Sequence, residues 1–171
     1  MSVNQPLAEI FKYNRWANLQ LIDACRALTD EVLDTRATGT SGTVRELLMH
    51  VIGAQQTFVH RTQGRQAPAQ LGRSSAWPGF DALYDLARKS SDDLLTISKG
   101  MVDDSEVALP YMGKVFGYPM SFFLTHAAEH GVEHRTEIKI ALAQMGIETP
   151  DLDGWLYAVP AGYGREVTSN S

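Results

Sequence analysis

Hydrophobic side chains that return every three or four residues constrain this chain more than any other feature, because a helix burying one face is what satisfies that spacing. From Leu7 to about Leu28, the positions Leu7, Ile10, Asn14, Ala17, Leu21, Ala24 and Leu28 fall at alternating steps of three and four. They predict a first amphipathic helix with one polar interruption, Asn14, in its seam. A polar stretch through Gly39, Ser41 and Gly42 leads to Thr43-Val44-Arg45-Glu46, the T-x-x-E form of a capping box. A second helix is expected to start there, with Leu47, His50, Ala54, Thr57 and Phe58 on its inner stripe, and to fade near Gly64 ahead of Pro68.

Gln63 to Gly79 is rich in Gly, Pro, Ser and Gln and is read as a long connection, a crossover or a pocket rim. A third helix spans about Asp81 to Lys99, with Leu83, Leu86, Ser90, Leu94 and Ile97 on one side and Gly100 suited to its C-terminal cap. Glu106 to Gly117 reads as an extended or hairpin-like excursion. Pro119 fits the first turn of a fourth helix that runs to about Met145 and stops at Gly146. The segment from Asp151 to Gly164 holds Trp155, Tyr157, Pro160 and Tyr163, an aromatic content that predicts packing against the helices. With no internal repeat, the simplest architecture is all-α: a four-helix bundle with some long connections.

A length of 171 residues with 44% hydrophobic content suits one domain with a buried core. That domain is placed over 1–165, with a disordered tail over 166–171. The net charge of -5, from 15 basic and 20 acidic residues, argues against a nucleic-acid partner. No window approaches the roughly 20 apolar residues of a membrane span, and Met1 to Pro6 lacks the pattern of a secretory signal. The chain therefore reads as cytoplasmic, with no membrane partner. Cys25, the single cysteine, cannot form an internal disulfide and reads as a packed thiol.

The chemistry lies in the histidines. All but His60 of the five fall on inner or near-inner faces of the second and fourth helices, and His126, His130 and His134 recur every four residues. Positions four apart stack on one helical face, so His130 and His134 can aim at a common point. Imidazole nitrogen suits zinc, nickel, iron and cobalt, and a catalytic ion characteristically has three protein ligands and one open position. A third ligand must come from another helix, and His50, between Leu47 and Ala54, is the candidate. The alternative is a set of core or surface histidines satisfied by backbone carbonyls or water.

Three passages resemble the DinB-like family of small metal-binding bundles: Tyr13-Asn14-Arg15-Trp16-Ala17-Asn18, Leu47-Leu48-Met49-His50-Val51, and Thr125 through Arg135 with its paired histidines and terminal Arg. The resemblance covers essentially the whole chain. It implies an up-down-down-up bundle, often a homodimer, with His50, His130 and His134 holding zinc, nickel or another divalent ion. His126 falls where the family has a frequent, dispensable histidine and is given a supporting or pocket-lining role, with a helix-face residue of no metal role as the alternative. His60, about 80 degrees short of three full turns from His50, is expected to be structural or exposed. The chain departs from the family in having Thr136-Glu137 after His134-Arg135, and Glu129 where Asn is usual. Glu137 lies on the ligand face, three residues after His134. It can orient an imidazole, add a ligand, serve as a general base, or simply pair with Arg135 or Lys139 in solvent. Asn14 is expected to hydrogen-bond toward the site.

The resembled family includes thiol-dependent S-transferases and isomerases that use a small thiol such as bacillithiol or mycothiol. The implied function is a metal-dependent transferase or hydrolase acting on a small, thiol-linked or electrophilic substrate in stress response or detoxification. The alternative is a non-catalytic metal-binding stress protein with a structural ion, closed off by a fourth protein ligand such as Glu137.

Overall fold

In the computed structural model, which describes residues 5–67, 71–72 and 74–164, the first seam becomes α1 (Gln5–Cys25). Ala8, Phe11, Asn14, Ala17, Asn18, Leu21, Ile22 and Cys25 are buried along it. At both ends the buried stripe runs one residue past the expected one: Phe11 is buried while Ile10 is 45% exposed, and Cys25 replaces Ala24. Either neighbour can face the core, and the larger side chain buries more apolar area. Burial pushes the Cys25 thiol up to about 12, so it stays protonated as a packed thiol.

The helix stops at Cys25 rather than near Leu28, because Thr29 caps a short α2 (Asp30–Leu33) by accepting from the Val32 amide. Four residues carry no periodicity, so this turn is absent from the pattern of apolar spacing. The capping box of α3 (Val44–Thr62) forms as expected: Thr43 accepts from the Glu46 amide and Glu46 accepts from the Thr43 amide. In α4 (Phe80–Gly100), Gly100 is the last helical residue and the cap passes to extended Met101.

The expected excursion is an antiparallel hairpin, β1 (Glu106–Tyr111) with β2 (Lys114–Pro119), in register from Glu106 opposite Pro119 to Tyr111 opposite Lys114. Its two-residue turn places Met112 and Gly113 at φ 49° and 74°, the left-handed pair that matches strand twist. Pro119 caps α5 (Met120–Gln144) from just outside it rather than sitting in its first turn. Beyond α5, α6 (Gly154–Ala158) begins at the Asp153 cap. Tyr157 packs on Tyr13 and Trp16, and Tyr13 donates to the Leu152 carbonyl at 2.7 Å. Trp155 departs from the expected aromatic packing and is 85% exposed. The tail placed at 166–171 lies outside the described residues.

Long-range pairs set the helix directions. Arg15 meets Asp92 and Arg26 meets Asp81, so α1 and α4 are antiparallel. His50 meets His134 while Phe58 meets His126, so α3 and α5 are antiparallel. One apolar cluster holds Leu47 with Leu83, and the other holds Phe58 with Leu94, which makes α3 and α4 parallel. The four long helices therefore form the up-down-down-up bundle. Among the described residues no helix is long and apolar enough to cross a membrane.

The two apolar clusters leave a polar layer between them. Gln55 on α3 donates to Ser90 and Ser91 on α4 at 2.7 and 2.9 Å and accepts from Asn18 on α1 at 2.9 Å. Arg135 on α5, only 3% exposed, donates to Asn14 and Asn18 at 2.5 and 2.7 Å. Burial lowers its pKa to about 10, against a raising contribution from Tyr13, so the guanidinium remains charged at neutral pH. Buried polar groups cost free energy unless bonded, and this layer bonds all four helices at one level.

Candidate metal centre

The polar layer fixes the rotation of α3 and α5, and with it the three histidines. Gly131 is the element of α5 that permits the approach of α1, since a Cβ there would lie 2.7 Å from Asn14 Oδ1 and 2.9 Å from Arg135 Nη1. On either side of Gly131 along the helix, His130 and His134 project toward His50 of α3. Their ring centroids stand 4.8 Å (His50 to His130), 4.6 Å (His50 to His134) and 4.3 Å (His130 to His134) apart. Each offers one ring nitrogen, and all three nitrogens lie within 4.8 Å of one another.

Metal–nitrogen bonds of about 2.0–2.1 Å require tetrahedral donors about 3.3–3.4 Å apart. The three donor nitrogens, all within 4.8 Å of one another, stand near that spacing, with His134 buried and His50 and His130 half-buried. The donor set fits a borderline divalent ion such as zinc or nickel. The hydrogen bonding of His134 fits it as well: Nδ1 donates to the Glu137 carboxylate, which fixes the tautomer and leaves the Nε2 lone pair for a ligand bond.

Glu137 is in turn held from the loop before α3. The Ser41 amide donates to Oε1 at 2.8 Å and the Ser41 hydroxyl to Oε2 at 3.0 Å. Burial raises its pKa, but the hydrogen bonds from His134 and Ser41 outweigh that and hold the carboxyl below its ordinary value. Of the roles open to Glu137 in the sequence, the geometry favours orienting an imidazole. It pairs with neither Arg135, which turns into the polar layer, nor Lys139. Asn14 bonds Arg135 and, at 3.4 Å, Gln55, so it supports the helix bearing the site without reaching the trio.

His126 continues the histidine ladder. Its ring lies 5.9 Å from that of His130, between Phe58 at 4.8 Å and Phe122 at 5.8 Å, and it lines an adjoining cavity. His60 stands outside the trio, half-buried, with an Nδ1 that finds no hydrogen-bond partner among the described residues. Ser41 and Gln55 are the residues that sequence reasoning missed. Their partners lie 96 and up to 41 residues away, a separation that leaves no local signal.

A model of the DinB family matches residues 1–167. The crystal structure of a DinB-like protein from Bacillus cereus superposes with a TM-score of 0.64 at 18% identity, over 85% of this chain and 94% of that one. At that identity the likeness speaks for the fold alone. No curated protein matches the chain.

Proposed function

The chain belongs to the DinB family, and from that premise we propose that His50, His130 and His134 hold one divalent ion at which a small, thiol-linked or electrophilic substrate undergoes transfer or hydrolysis. The observation that carries this reading is the meeting of three imidazoles, from two antiparallel helices, within 4.8 Å. When bound, such an ion supplies Lewis-acid activation of a thiol or of water. The protein's own groups do the orienting: Glu137 holds the Nδ1 proton of His134, Ser41 holds Glu137, and the Arg135 layer holds α5 in rotation. In the transfer reaction a thiol sulfur forms a bond to an electrophilic carbon, the bond from that carbon to its leaving group breaks, and the thiol proton is released.

A closed structural ion, the competing reading, needs a fourth protein ligand, for which Glu137 is the strongest candidate. Both Glu137 oxygens are engaged by Ser41 and His134, and among the described residues the cluster of metal-binding side chains stops at three. That favours an open position and a reacting ion.

The test is conjugation of a small thiol to chlorobimane by protein loaded with zinc or nickel. Turnover should require the metal and vanish in His134→Ala. Glu137→Gln should retain activity reduced by roughly 10- to 100-fold, the usual effect of losing an orienting partner. Unchanged turnover in His134→Ala would remove the enzymatic reading.

A further inference from the structure

Along the α3 and α5 seam beyond the trio, where the hairpin meets the bundle, lies a cavity of about 740 Å3, a size that takes a small organic molecule. One wall is aromatic. Tyr118 stacks on Phe122 with centroids 5.5 Å apart and planes 22° apart, and Phe123 lies 5.6 Å from Tyr118. Phe122 is 45% exposed although it is a large apolar ring, so it has apolar surface to give a ligand. The other side carries two exposed guanidiniums, Arg61 and Arg65. Arg65 hydrogen-bonds the neutral Gln63 side chain, and among the described residues no ion pair engages either arginine. Two cations with no ion pair among the described residues, on a chain of net charge -5, form a local field for an anion.

His126 joins this cavity to the trio, lining the one and standing 5.9 Å from His130 of the other. Along α3 the eleven residues from His50 to Arg61 correspond to about 16 Å. A ligand that engages both ends must therefore be extended.

We propose that this cavity is the substrate pocket and that it selects an elongated small molecule with a carboxylate or phosphate at one end, held by Arg61 and Arg65, and a flat apolar body against Phe122 and Tyr118. Its far end passes His126 toward the three imidazoles. The direction of that far end rests on the function proposed above, whereas anion binding does not.

Calorimetric titration with phenylbutyrate, phenyl phosphate and the neutral phenylbutanol tests this on the whole chain. At least one of the two anions should bind about tenfold or more tightly than the alcohol, the scale of charge-assisted hydrogen bonds. The R61Q/R65Q double variant, altered at exposed positions, should lose that preference, and F122A should weaken all binding. Binding by metal-free His50→Ala should persist, which separates the pocket from the metal reading. Alcohol binding as tight as that of both anions, or anion binding undiminished in R61Q/R65Q, would overturn the proposal.

Discussion

Replacing His50 with alanine is expected to weaken divalent-ion binding by roughly 100- to 1,000-fold, because the binding free energy of a protein zinc site, on the order of 10–16 kcal/mol, is shared among three or four ligands. Among the described residues His50 is the donor that α3 brings to the cluster, so its loss leaves the His130 and His134 pair on one helix. Competition against a chromophoric chelator measures the change. His50 is half-buried and lies outside both apolar clusters, so the variant should keep its helical circular dichroism. His60→Ala, a change on the same helix at a ring outside the trio, should bind as the parent does. A His50→Ala protein within a few-fold of the parent affinity would remove His50 from the site.

Asn14→Ala should produce the largest loss of stability among single substitutions outside the apolar clusters. Arg135 is a buried cation whose nearest hydrogen-bond acceptors are amide oxygens, Asn14 at 2.5 Å and Asn18 at 2.7 Å. Removing one leaves a charged donor under-satisfied in the core, at a cost of about 2–4 kcal/mol. For a chain of this length that corresponds to a fall in melting temperature of about 5–12 °C, readable by thermal denaturation. Asn14→Asp keeps an acceptor for the guanidinium and should lose far less. An Asn14→Ala chain that melts with the parent would mean that Arg135 finds other partners and that the polar layer does not hold the helices.

The same layer marks the boundary of what the sequence discloses. Helix seams and the Thr43 capping box are written within a few residues of themselves, so four long helices and their order are legible, as is the hairpin from the turn-rich run between Glu106 and Gly117. The trio is legible for a related reason: His130 and His134 are one turn apart, and His50 sits on a stripe whose inward side Leu47 declares. The ends of α1 are not, because Ile10 and Phe11 compete for the same place. Neither is the role of Glu137. Its spacing puts it on the ligand face, but the choice between ligand, base and orienting group depends on Ser41, which the fold brings from 96 residues away. Arg135 poses the opposite difficulty: an arginine between Glu133 and Glu137 in the sequence reads as a surface charge until Gly131 is seen to admit Asn14 beside it.

Convergence of three imidazoles on one ion can be read by X-ray absorption spectroscopy at the edge of the metal loaded into this chain. The expected spectrum shows nitrogen or oxygen neighbours with the multiple-scattering signature of three imidazoles, diminished in His50→Ala. Sulfur neighbours, which would implicate Cys25, or a metal environment without imidazole scattering, would contradict it.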